Sequence, residues 1–238
     1  MNWPFVIAAL SLAGFVQGLT GFGFGLISMS LLPAVLGVKK AAAIGTFYGL
    51  LVIIVIFLRH FRDYNWRLGI PFLISMCIGV PLGVFFLEKL SETLLLKILG
   101  AIMVYFAARE FLGKKPIQSI SARMAIPFGL FSGTLSGAFN LGGIPTATYA
   151  YAHDWTRGQI MAFLQTMLLL SCTLRLLLYG KFGYLKEFSW SFGAVVVLPL
   201  FASMALGNFA MHRIHPKHMR KSIFAFIGVA GIYYLIHR

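Results

Sequence analysis

The chain has 238 residues, 59% of them hydrophobic and only 11% charged, with a formal net charge of +14. A soluble domain carries about 25% charged residues, so this composition cannot build a water-soluble shell. Apolar runs long enough to cross ~30 Å of hydrocarbon recur throughout, and Lys and Arg gather in the short links between them, which makes nucleic acid a poor explanation for the basic excess.

The first apolar segment spans about residues 3–37. The preceding Met1-Asn2-Trp3-Pro4 lacks the basic stretch of a signal peptide, and no small-residue cleavage pattern closes the run, so a retained N-terminus is expected. Glycines interrupt this segment at Gly21-Phe22-Gly23-Phe24-Gly25. Further apolar segments follow near residues 41–58, 68–87 and 93–112. A basic link then leads to a second broken segment, 123–152, interrupted at Asn140-Leu141-Gly142-Gly143-Ile144-Pro145. The last three lie near 157–179, 189–211 and 217–236. The only cysteines, Cys77 and Cys172, fall inside apolar runs and read as buried small apolar residues rather than disulfide or thiolate-metal partners.

The two sets of four segments match one another. Gly14-Phe15-Val16-Gln17-Gly18 recurs as Gly129-Leu130-Phe131-Ser132-Gly133 at an offset of 115. Lys40 falls opposite Arg157 at 117, and Trp66-Arg67-Leu68-Gly69 opposite Trp190-Ser191-Phe192-Gly193 at 124. A shared order of glycine, basic and tryptophan landmarks indicates a tandem duplication: residues 1–112, a connecting loop at 113–122, and residues 123–238.

Charge counting separates two topologies. If each broken segment crosses once, the two sides collect nine and eleven basic residues, which is no preference. If each is a re-entrant hairpin, one side holds twelve (Arg59, Arg62, Arg67, Arg109, Lys114, Lys115, Arg123, Arg157, Arg213, Lys217, Arg220, Lys221) and the other six. The hairpin topology obeys the positive-inside rule and places three full crossings in each copy, so the copies insert in opposite orientations. The expected fold is therefore an all-α polytopic membrane protein of two inverted repeats, each a glycine-broken re-entrant hairpin followed by three transmembrane helices. Both termini are expected outside the cytoplasm.

Broken helices inside a bilayer leave backbone N–H groups that must be buried or face water or ligand. The half-helices starting near Gly25 and Gly143 would present partial positive charge and amide donors, which suits an anion. Pro145 fits the second start. The spacings Gly14-x-x-x-Gly18 and Gly129-x-x-x-Gly133-x-x-x-Gly137 suit helix packing, whereas Gly21, Gly23, Gly25, Gly142 and Gly143 are spaced too tightly for a helix face and read as pathway-lining. Gln17, Thr20, Ser136, Asn140 and Thr146 surround the same places, and Asn140 is the best polar candidate. Thr46, Gln165 and Arg175 lie within predicted crossings; Arg175 is either a functional cation or near enough to its helix end to snorkel. Lys40 and Arg157 could attract anions at opposite mouths or simply anchor at the interface. His153-Asp154 reads as a loop-capping pair rather than a proton relay. All six acidic residues fall at loops or helix ends, so a carboxylate relay is hard to place. No nucleotide-binding, metal-ligand or nucleophile motif is present, so no cofactor, metal or enzymatic activity is expected.

At Gly14 to Gly25, and more loosely at Gly129 to Gly143, the chain resembles the sulfite exporter TauE/SafE family. The likeness continues through Lys40 and Arg157 and the Leu-Gly runs before Lys89 and Arg213, and covers essentially the whole chain. It differs in alternating phenylalanine with glycine where the family commonly has a denser glycine run and an earlier proline. The resemblance implies a multi-pass protein of the bacterial inner membrane that handles sulfite or related sulfur anions. The expected function is export of such an anion driven by membrane potential; the alternative is ion-coupled uptake of organosulfonates. The expected partners are the anion and lipid, with homo-oligomers left open.

Overall fold

The computed structural model describes residues 3–61, 66–112, 121–184, 190–211 and 216–237. The expected connecting loop at 113–122 lies mostly outside them, as do several residues of the charge count (Arg62, Lys114, Lys115, Arg213, Lys186, Arg238) and the carboxylates Asp63 and Glu187. Every regular element among the described residues is helical. The order is α1 (Trp3–Thr20), α2 (Phe24–Leu31), α3 (Pro33–Leu36), α4 (Val38–His60), α5 (Trp66–Lys89), α6 (Glu92–Phe111), α7 (Ala125–Phe139), α8 (Gly143–Tyr151), α9 (Arg157–Lys181), α10 (Trp190–Ala210) and α11 (Pro216–Ile236). Six of these, α1, α4, α5, α9, α10 and α11, are long and apolar enough to cross a membrane. Large apolar side chains such as Leu177, Leu198, Val229 and Ile236 are exposed on these helices. The chain is a polytopic all-α membrane protein.

Both long broken segments divide where the glycines foretold. Thr20 ends α1, Gly21 takes a left-handed φ of 79°, and α2 begins at Phe24. Phe139 ends α7, and Asn140 takes φ 59°, the one non-glycine residue with positive φ among the described residues. Asn tolerates this conformation better than other side chains because its short amide bonds locally. Leu32, with helical angles, joins α2 to the short α3, and Gly37, at φ 77°, ends α3 and separates it from α4. At the start of α9, Thr156 and Gln159 form a reciprocal capping box.

Helix pairs close through glycine. An added Cβ at Gly18 would meet the Met204 carbonyl at 2.2 Å, and one at Gly14 would meet Leu200, so α1 lies alongside α10 in parallel. Gly129, Gly133 and Gly137 of α7 fit against Phe72, Met76 and Val80 of α5 in the same parallel sense. The two small-residue stripes thus pack helices, as their spacing indicates. Gly100 of α6 abuts Gly231 of α11 while Gly228 abuts Ala107, which makes that pair antiparallel. α4 and α9 pack together at the centre.

Most buried polar groups follow the logic of a dry interior, in which an unpaired donor or acceptor is costly. Tyr48 donates to the Gly193 carbonyl at 2.9 Å, Tyr179 to that of Gly137 at 2.7 Å and Tyr234 to that of Ser30 at 2.9 Å. These three bonds tie α4 to α10, α9 to α7 and α11 to α2. Cys172 is buried, as expected, but Cys77 is exposed on α5. Its helix turns it outward, since the inward face is used by Phe72, Met76 and Val80 against α7.

Candidate functional site

The two breaks touch. A Cβ on Gly25 would stand 1.9 Å from the Asn140 carbonyl oxygen, so only glycine permits the approach of α2 to the end of α7. Where they meet is a cavity lined from the first break by Gln17 and Phe22 to Leu26, and from the second by Asn140, Leu141, Gly143 and Ile144. Gly49 and Ile53 of α4 and Leu168 and Cys172 of α9 complete it. These four residues sit midway along their helices, which places the cavity at mid-depth of the central pair.

Arg175 dominates its electrostatics. The residue is 1% exposed, so the snorkelling alternative is excluded: the side chain folds inward onto the end of α7 instead of reaching the interface. Its Nη1 donates to the Ser136 carbonyl at 2.8 Å and to Asn140 Oδ1 at 2.6 Å. Nη2 donates to Cys172 Sγ at 2.9 Å, and Nε to the Ser171 carbonyl at 3.3 Å. Four of the five guanidinium N–H groups therefore end on neutral acceptors. Arg175 is the one charged residue fully buried among those described. Two of its partners, Asn140 and Cys172, form cavity wall.

The half-helix starts are only partly open to a ligand. Gln17 Oε1 accepts from the Gly23 and Phe24 amides at 2.9 and 3.0 Å, capping α2 from one turn before the break. Its Nε2 donates to the Gly21 carbonyl at 2.9 Å, which Gln165 of α9 also reaches at 2.7 Å. Gln17 thus spends its amide on the fold of the break, although it also forms cavity wall. The next amides, Gly25 and Leu26, have no acceptor among the described residues, nor does Gly143 at the start of α8. Those three donors are on residues that line the cavity.

The other sequence candidates lie around this centre without lining it. Thr20 Oγ1 lies within bonding reach of the Val16 and Phe22 carbonyls, at 2.9 and 2.8 Å. Thr146 and Ser132 hydroxyls pair at 2.7 Å and both reach the Gly142 carbonyl, which staples the second break. Ser136 and Ser171 hydroxyls pair at 2.6 Å between α7 and α9. Thr46 Oγ1 and Gln165 Oε1 are buried without a hydrogen-bond partner. Lys40 and Arg157 occupy the first turns of α4 and α9, about 13–16 Å along the helix from the cavity, and Arg157 rests on Met211. His153 bonds the Tyr149 carbonyl and stacks on Trp155, in keeping with a loop cap. Sequence reasoning missed Gly49, Ile53, Leu168 and Cys172; only the pair Gly45 and Gly49, one turn apart in a crossing, offered a signal.

A charge-bearing cluster around the first turn of α4 is separate from the cavity. Lys39 Nζ donates to the Glu88 carbonyl at 2.9 Å, the Tyr184 hydroxyl donates to the Glu88 carboxylate, and Glu92 accepts from the Val38 amide. Burial, reinforced by the hydrogen bond to Glu88, pushes the Tyr184 hydroxyl above its ordinary range.

Comparison with known proteins places the chain. It is 23% identical to a probable membrane transporter protein of Methanocaldococcus jannaschii, over 97% of this chain and 96% of that one. It is 26% identical to a probable sulfite/organosulfonate exporter TauE of Cupriavidus necator, over 94% of this chain and 90% of that one. No solved structure matches it. Matched from residue 6 to residue 234 by Sulfite exporter TauE/SafE, the chain belongs to that family of membrane transporters and is not an enzyme.

Proposed function

We propose that this transporter carries a small sulfur-containing oxyanion such as sulfite out of the cell, across the inner membrane, through the cavity between the two helix breaks. One observation carries the reading: a fully buried guanidinium, Arg175, whose acceptors are all neutral, behind a wall that also offers the Gly25, Leu26 and Gly143 amides. A buried cation without a counter-ion is costly, and an anion in the cavity would offset that cost. The similarity to a probable sulfite/organosulfonate exporter supports the choice of cargo. Among the proposed ligands, Gly23, Gly25, Asn140 and Gly143 would contact the anion. Arg175 would act through Asn140 and Cys172, and Gln17, Gly21, Thr20, Ser136, Gly142, Thr146, Gln165 and Thr46 would shape the breaks. Lys40 and Arg157 would raise the local anion concentration at the two mouths.

The transport architecture we infer is a pair of inverted repeats, residues 1–112 and 123–238. Corresponding helices of two copies inserted the same way would run parallel where they pack together, whereas α6 and its counterpart α11 run antiparallel. The exchange of partners, α1 on α10 and α7 on α5, fits the same two-fold relation. Such repeats with broken helices are a recurrent plan for alternating access around a mid-membrane site. With the basic links inward, both termini face outward.

Export needs no coupling ion, since each negative charge leaving a cell at ~100 mV, inside negative, gains ~2.3 kcal/mol. Sulfite flux in proteoliposomes under an imposed potential tests this: efflux should accelerate with a negative interior. Flux that ignores the potential, or requires a sodium or proton gradient, would reject uncoupled export and favour the uptake alternative.

A further inference from the structure

Resting on the anion-transport reading above, we infer that the species carried is a monoanion, hydrogensulfite rather than the sulfite dianion, so that one elementary charge moves with each substrate. The argument is one of charge balance in a dry site. Arg175 supplies a single positive charge, and it is the one fully buried charged residue among those described. The titratable groups close to it are Cys172 on its own helix and Tyr179 one turn on, whose hydroxyl donates to the Gly137 carbonyl. α7 contributes the Ser136 carbonyl and the Asn140 amide, and no ionisable side chain. The described carboxylates Glu88, Glu92, Glu110 and Asp154 all stand at helix ends or in links.

Besides the Gly25, Leu26 and Gly143 amides, the cavity wall is formed by apolar side chains, Phe24, Leu26, Ile53, Ile144 and Leu168, and carries no second cationic group. A monoanion beside Arg175 leaves the interior neutral, whereas a dianion leaves it at −1 against apolar carbon. The cost of removing an ion from water rises with the square of its charge, so a dianion loses roughly four times the solvation of a monoanion, and one Arg offsets only part of it. Protonation before binding avoids that loss. Because hydrogensulfite gives up its proton near neutral pH, the two forms coexist under working conditions and the site selects between them.

The experiment measures charge per substrate in the full-length protein reconstituted into proteoliposomes. With equal pH on both sides, a tenfold sulfite gradient should reverse the sulfite current at about 59 mV, the value for one charge, and not at about 30 mV, the value for two. At fixed, subsaturating total sulfite, flux should fall as pH rises through the second ionisation of sulfite. Inhibition by methanesulfonate, a monoanion at every pH used, should stay level over the same range. Reversal at about 30 mV, or flux that rises with pH, overturns the monoanion assignment while leaving anion transport intact. Sulfite flux without any sulfite-dependent current overturns the statement that one charge moves with each substrate, and no sulfite flux at any pH overturns the transport reading itself, and this inference with it.

Discussion

Gly25 and Gly143 read alike in the sequence, as tightly spaced glycines at the start of a half-helix, and the structure separates them sharply. Alanine at Gly25 would set its Cβ 1.9 Å from the Asn140 carbonyl oxygen and 3.2 Å from Asn140 Cγ. Carbon reaches ordinary contact at about 3.5 Å, so the two breaks would have to part by more than about an ångström. Neither side yields easily: the obstacle is backbone, and Arg175 holds it at both Ser136 and Asn140. Over-packing of this kind costs about 1–3 kcal/mol, and the rigidity of the partner puts Gly25→Ala at the upper end. About 3 kcal/mol lowers the population of the closed arrangement by about two orders of magnitude, and sulfite flux should fall accordingly. At Gly143 the added carbon would meet Leu168 Cδ2 at 3.8 Å, an ordinary contact. Gly143→Ala should therefore keep flux within about twofold. The assay is sulfite efflux from proteoliposomes, normalised to folded protein by size-exclusion recovery and thermal unfolding in detergent. Undiminished flux in Gly25→Ala, or equal loss in both variants, would refute the claim that contact between the breaks forms the site.

Four further outcomes are expected. Arg175→Gln should raise the half-saturating sulfite concentration about 30-fold, since unit charges roughly 7 Å apart at an effective dielectric of about 20 interact by about 2 kcal/mol; concentration-dependent flux measures it. Asn140→Gly keeps the left-handed backbone while removing the acceptor for Arg175, so it should impair transport more than it lowers the melting temperature, whereas Asn140→Leu should lose both. Gln17→Leu removes the cap on the Gly23 and Phe24 amides and should destabilise the protein by about 1–2 kcal/mol in a thermal melt. The Tyr184 hydroxyl, raised in the folded state by burial and by Glu88, contributes stability that is present below the ordinary tyrosine value of about 10 and is lost at higher pH, as the hydroxyl ionises. Tyr184→Phe should be less stable than wild type at neutral pH and should show a smaller loss of stability as pH rises above about 10, read from melting curves across that range.

Much of the architecture is written in local sequence. Run length and composition identify a membrane protein, because the span of a bilayer fixes how many consecutive apolar residues a helix needs. The breaks at Gly21–Gly25 and Asn140–Gly143 are legible because neighbouring glycines and a proline weaken helix wherever they stand. The stripes at Gly14, Gly18, Gly129, Gly133 and Gly137 announce close packing by their spacing alone, and the landmarks shared by the two halves are the ground for the duplication we propose.

The site is different, because its groups come from places far apart in the chain. Gln17 seemed a ligand by its polarity, and the turn of chain after Thr20 brings the Gly23 and Phe24 amides back onto it as a cap. Cys172 seemed an inert core residue, and the approach of α9 to α7 puts it between Arg175 and the cavity. Cys77, equally apolar in its surroundings along the chain, faces outward because the other side of α5 is taken up by α7. Arg175 was ambiguous for the same reason: its distance from the helix end permits snorkelling, and only the presence of the Ser136 carbonyl and the Asn140 amide at the end of α7 turns it inward. Hydropathy and helix-breaking act over a few neighbouring residues, so the sequence alone determined the spans and the breaks. Which polar group meets which depends on how α2, α7 and α9 pack, since in a dry interior each donor takes the acceptor that packing brings within reach.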